Sequence, residues 1–446
     1  MIKKTCGLQF PRSGCALQGA TEAARAVRGF VPVLHSTAGC GLRDADGQSA
    51  AWLTDGLSDA EVPNTALLER QVIYGGASRL REQVRNAMRV LAGELYLIVP
   101  GCAAEMIGDD VDFIVREMRQ SGDPVLKVDT AGYRGTAPDG YAQFAVDVLA
   151  YIHEAGLAAE SSEKRPVVNI WGVLPGVDPY WEGGLEELTE LLEATGFRVT
   201  RLFGFGSGLS EWRLAPSAVL NIAVSPWGVK PARWAQQTFG APVLELPGLP
   251  AGPEQEKEML MALRVPLGLE EDALHARALE RKLRFLHALG HVSSDYVRYG
   301  FQMSFAVVAE SSRAFSLLRF LTETVGLPPK ALVLTDLTAK TVPISMRSYC
   351  ETHSVALLAS DDGVEIEHTL RQAAPNVILG SVLESRVAQK TGALLLEVAY
   401  PILRPVILNS GSTGCRGTLC LLERLFEQLK TRSTQERDSM SALSIV

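Results

Sequence analysis

The chain has 446 residues, is 47% hydrophobic and carries a net charge of −8, which predicts two or three domains with large cores and argues against nucleic acid or an anionic membrane surface as main partner. No apolar run approaches the roughly 20 residues needed to span a bilayer, and the opening MIKKTCGLQFPRSGC lacks the apolar segment of a secretory signal. Seven cysteines in such a chain favour reduced thiols or metal thiolates over disulfides, and a cytoplasmic setting.

In chain order, VPVL (31–34), LYLIVP (95–100), PVLKVD (124–129), PVVNIWGV (166–173), RVTRLF (198–203) and AVLNIAV (218–224) read as buried parallel strands. So do ALVLTD (331–336), VALLAS (355–360), NVILGS (376–381) and ALLLEVA (393–399). Each is too short for a helix and is bounded by Gly, Pro, Asp or Ser. Helical patterns lie between them: LSDAEVPNTALLERQVIYGG (57–76), GGLEELTELLEATG (183–196) and PARWAQQTFG (231–240), the last two stopping at glycine. Alternating β and α segments predict an α/β fold of three Rossmann-like αβα domains with mostly parallel sheets. Polar SSEKRP (161–166) marks a first boundary, giving domains at 1–163, 164–266 and 267–446. A helical connector from about Pro253 to Ala314 opens the third, and the polar tail from Thr431 is expected to fray.

Three cysteines stand out, each in a small-residue loop beside an apolar run: Cys15 in GCALQGA, Cys40 in HSTAGCG and Cys102 in VPGCAAEMIGDD. None has zinc-ribbon spacing. Iron–sulfur clusters, however, can be held by thiolates from several loops, and loops at the carboxyl ends of neighbouring parallel strands converge. Small neighbours such as Gly14, Gly39, Gly41 and Gly101 would let an inorganic group approach the backbone. The competing reading is that free cysteine is an ordinary small buried hydrophobe; Cys6, Cys350, Cys415 and Cys420 are assigned to it.

The succession GCALQGA, HSTAGCG, VIYGGASRLREQV and VPGCAAEMIGDDVDFIV resembles the nitrogenase component 1 superfamily. The resemblance extends through VDTAGYRGTAPDGYAQFAVDVL (128–149), NVILGSVLESRVAQKTGALLLEVAYPILRP (376–405) and NSGSTGCRGTLCLLERLFEQL (409–429). It implies that Cys15, Cys40 and Cys102 are thiolate ligands to an iron–sulfur cluster shared with a related partner subunit, an [8Fe-7S] P-cluster or a [4Fe-4S] cluster. It also implies an α2β2 heterotetramer with an α-like subunit, served by an ATP-dependent Fe protein. Where a nitrogenase β-subunit adds a serine ligand, residues 128–136 offer Thr130 and Tyr133 but no serine. Gly108, Asp109 and Asp110 match the family's GDD, read physically as a turn and a capped helix start.

The family's α-subunit holds its large cofactor with a mid-chain cysteine and a late histidine, but here no cysteine falls between 103 and 349. His353 and His368 read as solvated or capping residues, and there is no G-x-x-x-x-G-K-[ST] loop for ATP. The chain is therefore similar to a β-type, electron-relaying subunit. Within the superfamily it looks most like the β-like subunits of methylthio-alkane reductases, which cleave C–S bonds. A cofactor-maturation scaffold, a nitrogenase β-subunit and a dark-operative protochlorophyllide reductase subunit remain as alternatives.

Overall fold

The computed structural model describes residues 12, 14–45, 62–292, 294, 303–408 and 410–443. Cys6 lies outside them. The chain packs as two units, one formed by Ser13–Val177 with Leu192–Glu245, the other by Arg12, Asp178–Leu191 and the chain from Leu246 onward.

Two parallel sheets share the first unit. β1 (Phe30–His35), β2 (Leu95–Pro100) and β3 (Val125–Lys127) lie in the order β1-β2-β3. β4 (Val167–Trp171), β5 (Arg198–Val199), β6 (Leu220–Ala223) and β7 (Val243–Glu245) lie in the order β5-β4-β6-β7. All six residues of β2 are buried, as expected for a central parallel strand covered on both faces. On one face, helices Ala77–Val90 and Val111–Gln120 place Leu80, Val84, Ile114 and Met118 against Val33, Tyr96 and Ile98. Fully buried Trp212 joins the two sheets into one core, its ring within 6.2 Å of those of Phe30, Phe144, Trp171 and Phe203.

Helix Ala16–Arg25 crosses helix Ala137–Glu154 at two glycines. A Cβ on Gly19 would lie 1.8 Å from the Ala137 carbonyl oxygen, and one on Gly140 would lie 1.9 Å from that of Ala16. Only hydrogen fits at either position. Gly140→Val is therefore expected to force the helices apart at a cost of about 1–3 kcal/mol, seen as a lower urea midpoint. Gly290→Ala, a helical glycine with open space around it, is the control, and equal midpoints for the two variants would refute this account.

The second unit is built on five parallel strands in the order β10-β9-β8-β11-β12: β8 (Phe305–Ala309), β9 (Pro329–Leu334), β10 (Ala356–Ala359), β11 (Val377–Gly380) and β12 (Leu394–Glu397). Arg313 is fully buried beneath this sheet's carboxyl edge, bonded to Asp178 and Ser412 and 3.4 Å from Glu310. Among the described residues, no helix is long and apolar enough to cross a membrane.

Three sequence expectations are corrected. The connector predicted to be helical to Ala314 is interrupted by β8, the centre of its sheet; a five-residue apolar run buried on both faces has no periodicity to separate strand from helix. The helix expected over 57–76 is confined, among the described residues, to Glu69–Tyr74, because Pro63 and the extended segment after it pair with β1 instead. The tail from Thr431 continues the last helix to Leu443, anchored upstream by buried Leu421, Leu425, Phe426 and Leu429.

Candidate metal centre

The β1 and β2 strands run parallel in register, His35 opposite Pro100, so the segments that follow them leave one edge side by side. After β1 the chain turns through Ser36 and Thr37 into helix Ala38–Ala45, which carries Cys40 in its first turn. After β2, Gly101 caps helix Cys102–Ile107, with Cys102 its first residue. After β3, a loop leads to the one-turn helix Gly132–Arg134 and then to Thr136. Cys15 pairs antiparallel with Thr136; Ala16 N–H donates to Gly135 O at 2.9 Å and Ala137 N–H to Gly14 O at 2.8 Å. All three predicted cysteines therefore stand at the carboxyl edge of one sheet.

Gly132 shows how two of them converge. A Cβ there would lie 3.0 Å from the Cys102 sulfur and 3.2 Å from the Cys15 sulfur, so both thiols face one glycine wall. Cys40 is linked to them through Ser36. The Ser36 hydroxyl donates to the Cys40 sulfur at 3.0 Å and fills the space where a Cβ on Gly101 would sit, 2.0 Å away. Among the described residues, Gly39 has nothing within 4 Å of its Cβ position.

Cys15, Cys40 and Cys102 are half-buried and free of disulfides. Of the assigned bystanders within the described residues, Cys350 and Cys415 are buried and Cys420 is half-buried, all free of disulfides. Burial pushes the Cys350 thiol up to about 11. Burial and then Glu256 raise that of Cys415, whose sulfur donates to Glu256 at 3.2 Å. Burial and then Glu423 raise that of Cys420.

Among the described residues, no three His, Cys, Asp or Glu side chains close around a position for one metal ion. Three free thiols, Cys15, Cys40 and Cys102, are spread along a glycine-lined edge, and iron–sulfur clusters can be held by thiolates from several loops. Large side chains around this edge are exposed: Ile73 and Tyr74 on the short helix Glu69–Tyr74, Met106 beyond Cys102, and Tyr133 beside Gly132.

Sequence reasoning missed the supporting residues. His35 is fully buried, with Nε2 3.0 Å from Asp109 and Nδ1 3.1 Å from Thr65. Burial lowers its basicity, partly opposed by Asp109. The expected GDD turn is observed: Gly108 is left-handed, and Asp110 caps the next helix by accepting from Phe113 N–H. Its middle residue, Asp109, has the further partners just described, and the only signal for this was a histidine five residues before Cys40.

The chain belongs to the family of nitrogenase component 1 type oxidoreductases, which it matches over residues 15–430. It is 22% identical to a light-independent protochlorophyllide reductase subunit from Halorhodospira halophila, over 73% of this chain and 60% of that protein. It is 23% identical to the nitrogenase molybdenum-iron protein beta chain of Methanothermobacter marburgensis, over 93% of each. It is also 23% identical to the nitrogenase iron-molybdenum cofactor biosynthesis protein NifE of Clostridium pasteurianum, over 74% of this chain and 69% of that one. The chain thus spans less than two thirds of some relatives, such as the Halorhodospira protein, and nearly all of others. The solved structure of nitrogenase Cp1 at pH 6.5 superposes with a TM-score of 0.80 at 16% identity, covering 98% of this chain and 96% of that one, which establishes the shared α/β fold.

Proposed function

We propose that this chain is the β-like, electron-relaying subunit of a cytoplasmic nitrogenase-like reductase. Cys15, Cys40 and Cys102 would bind one side of an iron–sulfur cluster whose other side is held by an α-like partner. The observation that carries the reading is the meeting of the Cys15 and Cys102 sulfurs at Gly132, on the edge where Cys40 also lies. Exposed Ile73, Tyr74, Met106 and Tyr133 beside that edge are what a surface covered by another subunit requires.

Such a cluster supplies low-potential electron storage. This chain's own residues would fix it: three thiolates set its position, Gly132 and Gly101 leave it room, and the Ser36 hydroxyl donates to the Cys40 sulfur. The P-cluster type is favoured, with [4Fe-4S] the simpler option, in an α2β2 assembly that receives electrons from an ATP-dependent Fe protein. The partner's cofactor would carry out the bond cleavage. The substrate class is a methylthio-alkane, with R–S–CH3, two electrons and two protons giving R–H and methanethiol.

The second reading, a cofactor-maturation scaffold, is favoured by the similarity to NifE. The purified complex, given Fe protein, ATP, a reductant and dimethyl sulfide, is expected to release methanethiol. Absence of methanethiol together with efficient transfer of a cofactor to an apo-enzyme would establish the scaffold.

A further inference from the structure

A single buried histidine, His35, at the end of the strand that leads to Cys40, is bonded through its carbonyl and ring to the segment that carries Cys102 and through its ring to Thr65. The His35 carbonyl accepts from Gly101 N–H at 2.9 Å, immediately before Cys102. The same residue's ring meets Asp109 at 3.0 Å, just beyond the helix that Cys102 begins. The segment 101–109 is thus held at both ends by one residue. Asp109 also accepts from Gly76 N–H at 2.8 and 3.0 Å. A carboxylate only accepts, so the ring proton is assigned to Nε2, and the single Thr65 hydroxyl proton is divided between His35 Nδ1 at 3.1 Å and the Ser36 carbonyl at 3.3 Å. Thr65 in turn accepts from Ser36 N–H at 3.1 Å, and the Ser36 hydroxyl reaches the Cys40 sulfur at 3.0 Å.

We infer that Asp109, His35 and Thr65 form a positioning brace that sets the placement of Cys40 and Cys102 together, leaving Cys15 to be placed separately through Thr136. Both ring nitrogens of His35 are spent on these flanking segments. The path from ring to cysteine is short on each side, passing through Thr65 and Ser36 to Cys40 and through Asp109 to the helix of Cys102. A pair serving stability alone would leave thiol access unchanged in a folded variant. The brace requires access to change at two particular cysteines. Its effect on iron rests on the ligand reading above, whereas its effect on the thiols does not.

The test uses the full chain freed of iron, treated with iodoacetamide near neutral pH, with modified cysteines mapped by peptide mass spectrometry. Asp109→Asn keeps the side-chain size but puts an N–H donor in place of one acceptor oxygen. It is expected to speed alkylation of Cys40 and Cys102 several-fold and leave Cys15 unchanged. Thr65→Val keeps the shape and removes the hydroxyl between the ring and Ser36, so it is expected to speed Cys40 alone; it decides the matter if Asp109→Asn does not fold. Circular dichroism confirms the fold of each variant. Unchanged rates at Cys40 in both folded variants, or a change confined to Cys15, would overturn the brace. In the assembled complex Asp109→Asn is further expected to lose iron faster than the unaltered protein. A complex that holds no iron at all, with the alkylation pattern intact, would refute the cluster and support the brace.

Discussion

Cys102→Ala is expected to strip most of the iron from the assembled complex and bleach its visible absorption, while Cys350→Ala retains both. Cys102 opens a helix at the sheet's carboxyl edge, half-buried and facing Cys15 across Gly132. Loss of a group that merely orients a metal ligand weakens binding about 10–100-fold, so loss of the ligand itself should exceed the upper end of that range. Cys350 sits buried in helix Ile344–Thr352, its thiol held protonated by burial, and its truncation leaves only a small cavity, about 1 kcal/mol. Iron by plasma emission and the absorption spectrum distinguish them. Equal iron content in the two variants would show that other cysteines hold the metal.

Asp178→Ala is expected to destabilise the second unit by about 3–5 kcal/mol. It removes one partner of a fully buried ion pair and leaves the other charge uncompensated. Arg313 is 2% exposed and Asp178 1%. Glu310 stands 3.4 Å from the guanidinium, but burial, the larger cause of its raised carboxyl pKa, persists when the Asp178 charge is removed, so it is a poor substitute. The Tyr180 ring, 5.5 Å from the guanidinium carbon, offers weaker compensation. Urea unfolding should show an early transition in Asp178→Ala. An unchanged midpoint would mean that water reaches Arg313.

Most of the strand framework was legible because parallel strands buried on both faces read as short apolar runs. LYLIVP became β2 without adjustment. The run FAVVA was equally apolar, yet it lay beside helical patterns and was absorbed into them; only pairing with β9 and β11 reveals it as the central strand. At the candidate site, the cysteines were legible because each followed or preceded an apolar run at a glycine. Their convergence at one sheet edge was already expected from the strand pattern and the resemblance; the wall at Gly132 that the Cys15 and Cys102 sulfurs face was not, since Gly132 is remote from all three in sequence. The brace was less visible still: His35, Thr65 and Asp109 are joined only by the fold, and each alone is an ordinary polar residue.

The pairing of Cys15 with Thr136 has a consequence for when the site can exist. Cys15 leaves the ribosome well before Thr136, and the strand partner that fixes it emerges only after the whole first sheet has been made. At typical elongation rates that delay is on the order of ten seconds. During it the Cys15 segment lacks the Thr136 partner it has in the folded chain. If the proposed cluster reading holds, iron loading would follow synthesis of the segment through Thr136, and a nascent chain arrested before that point is expected to hold no cluster.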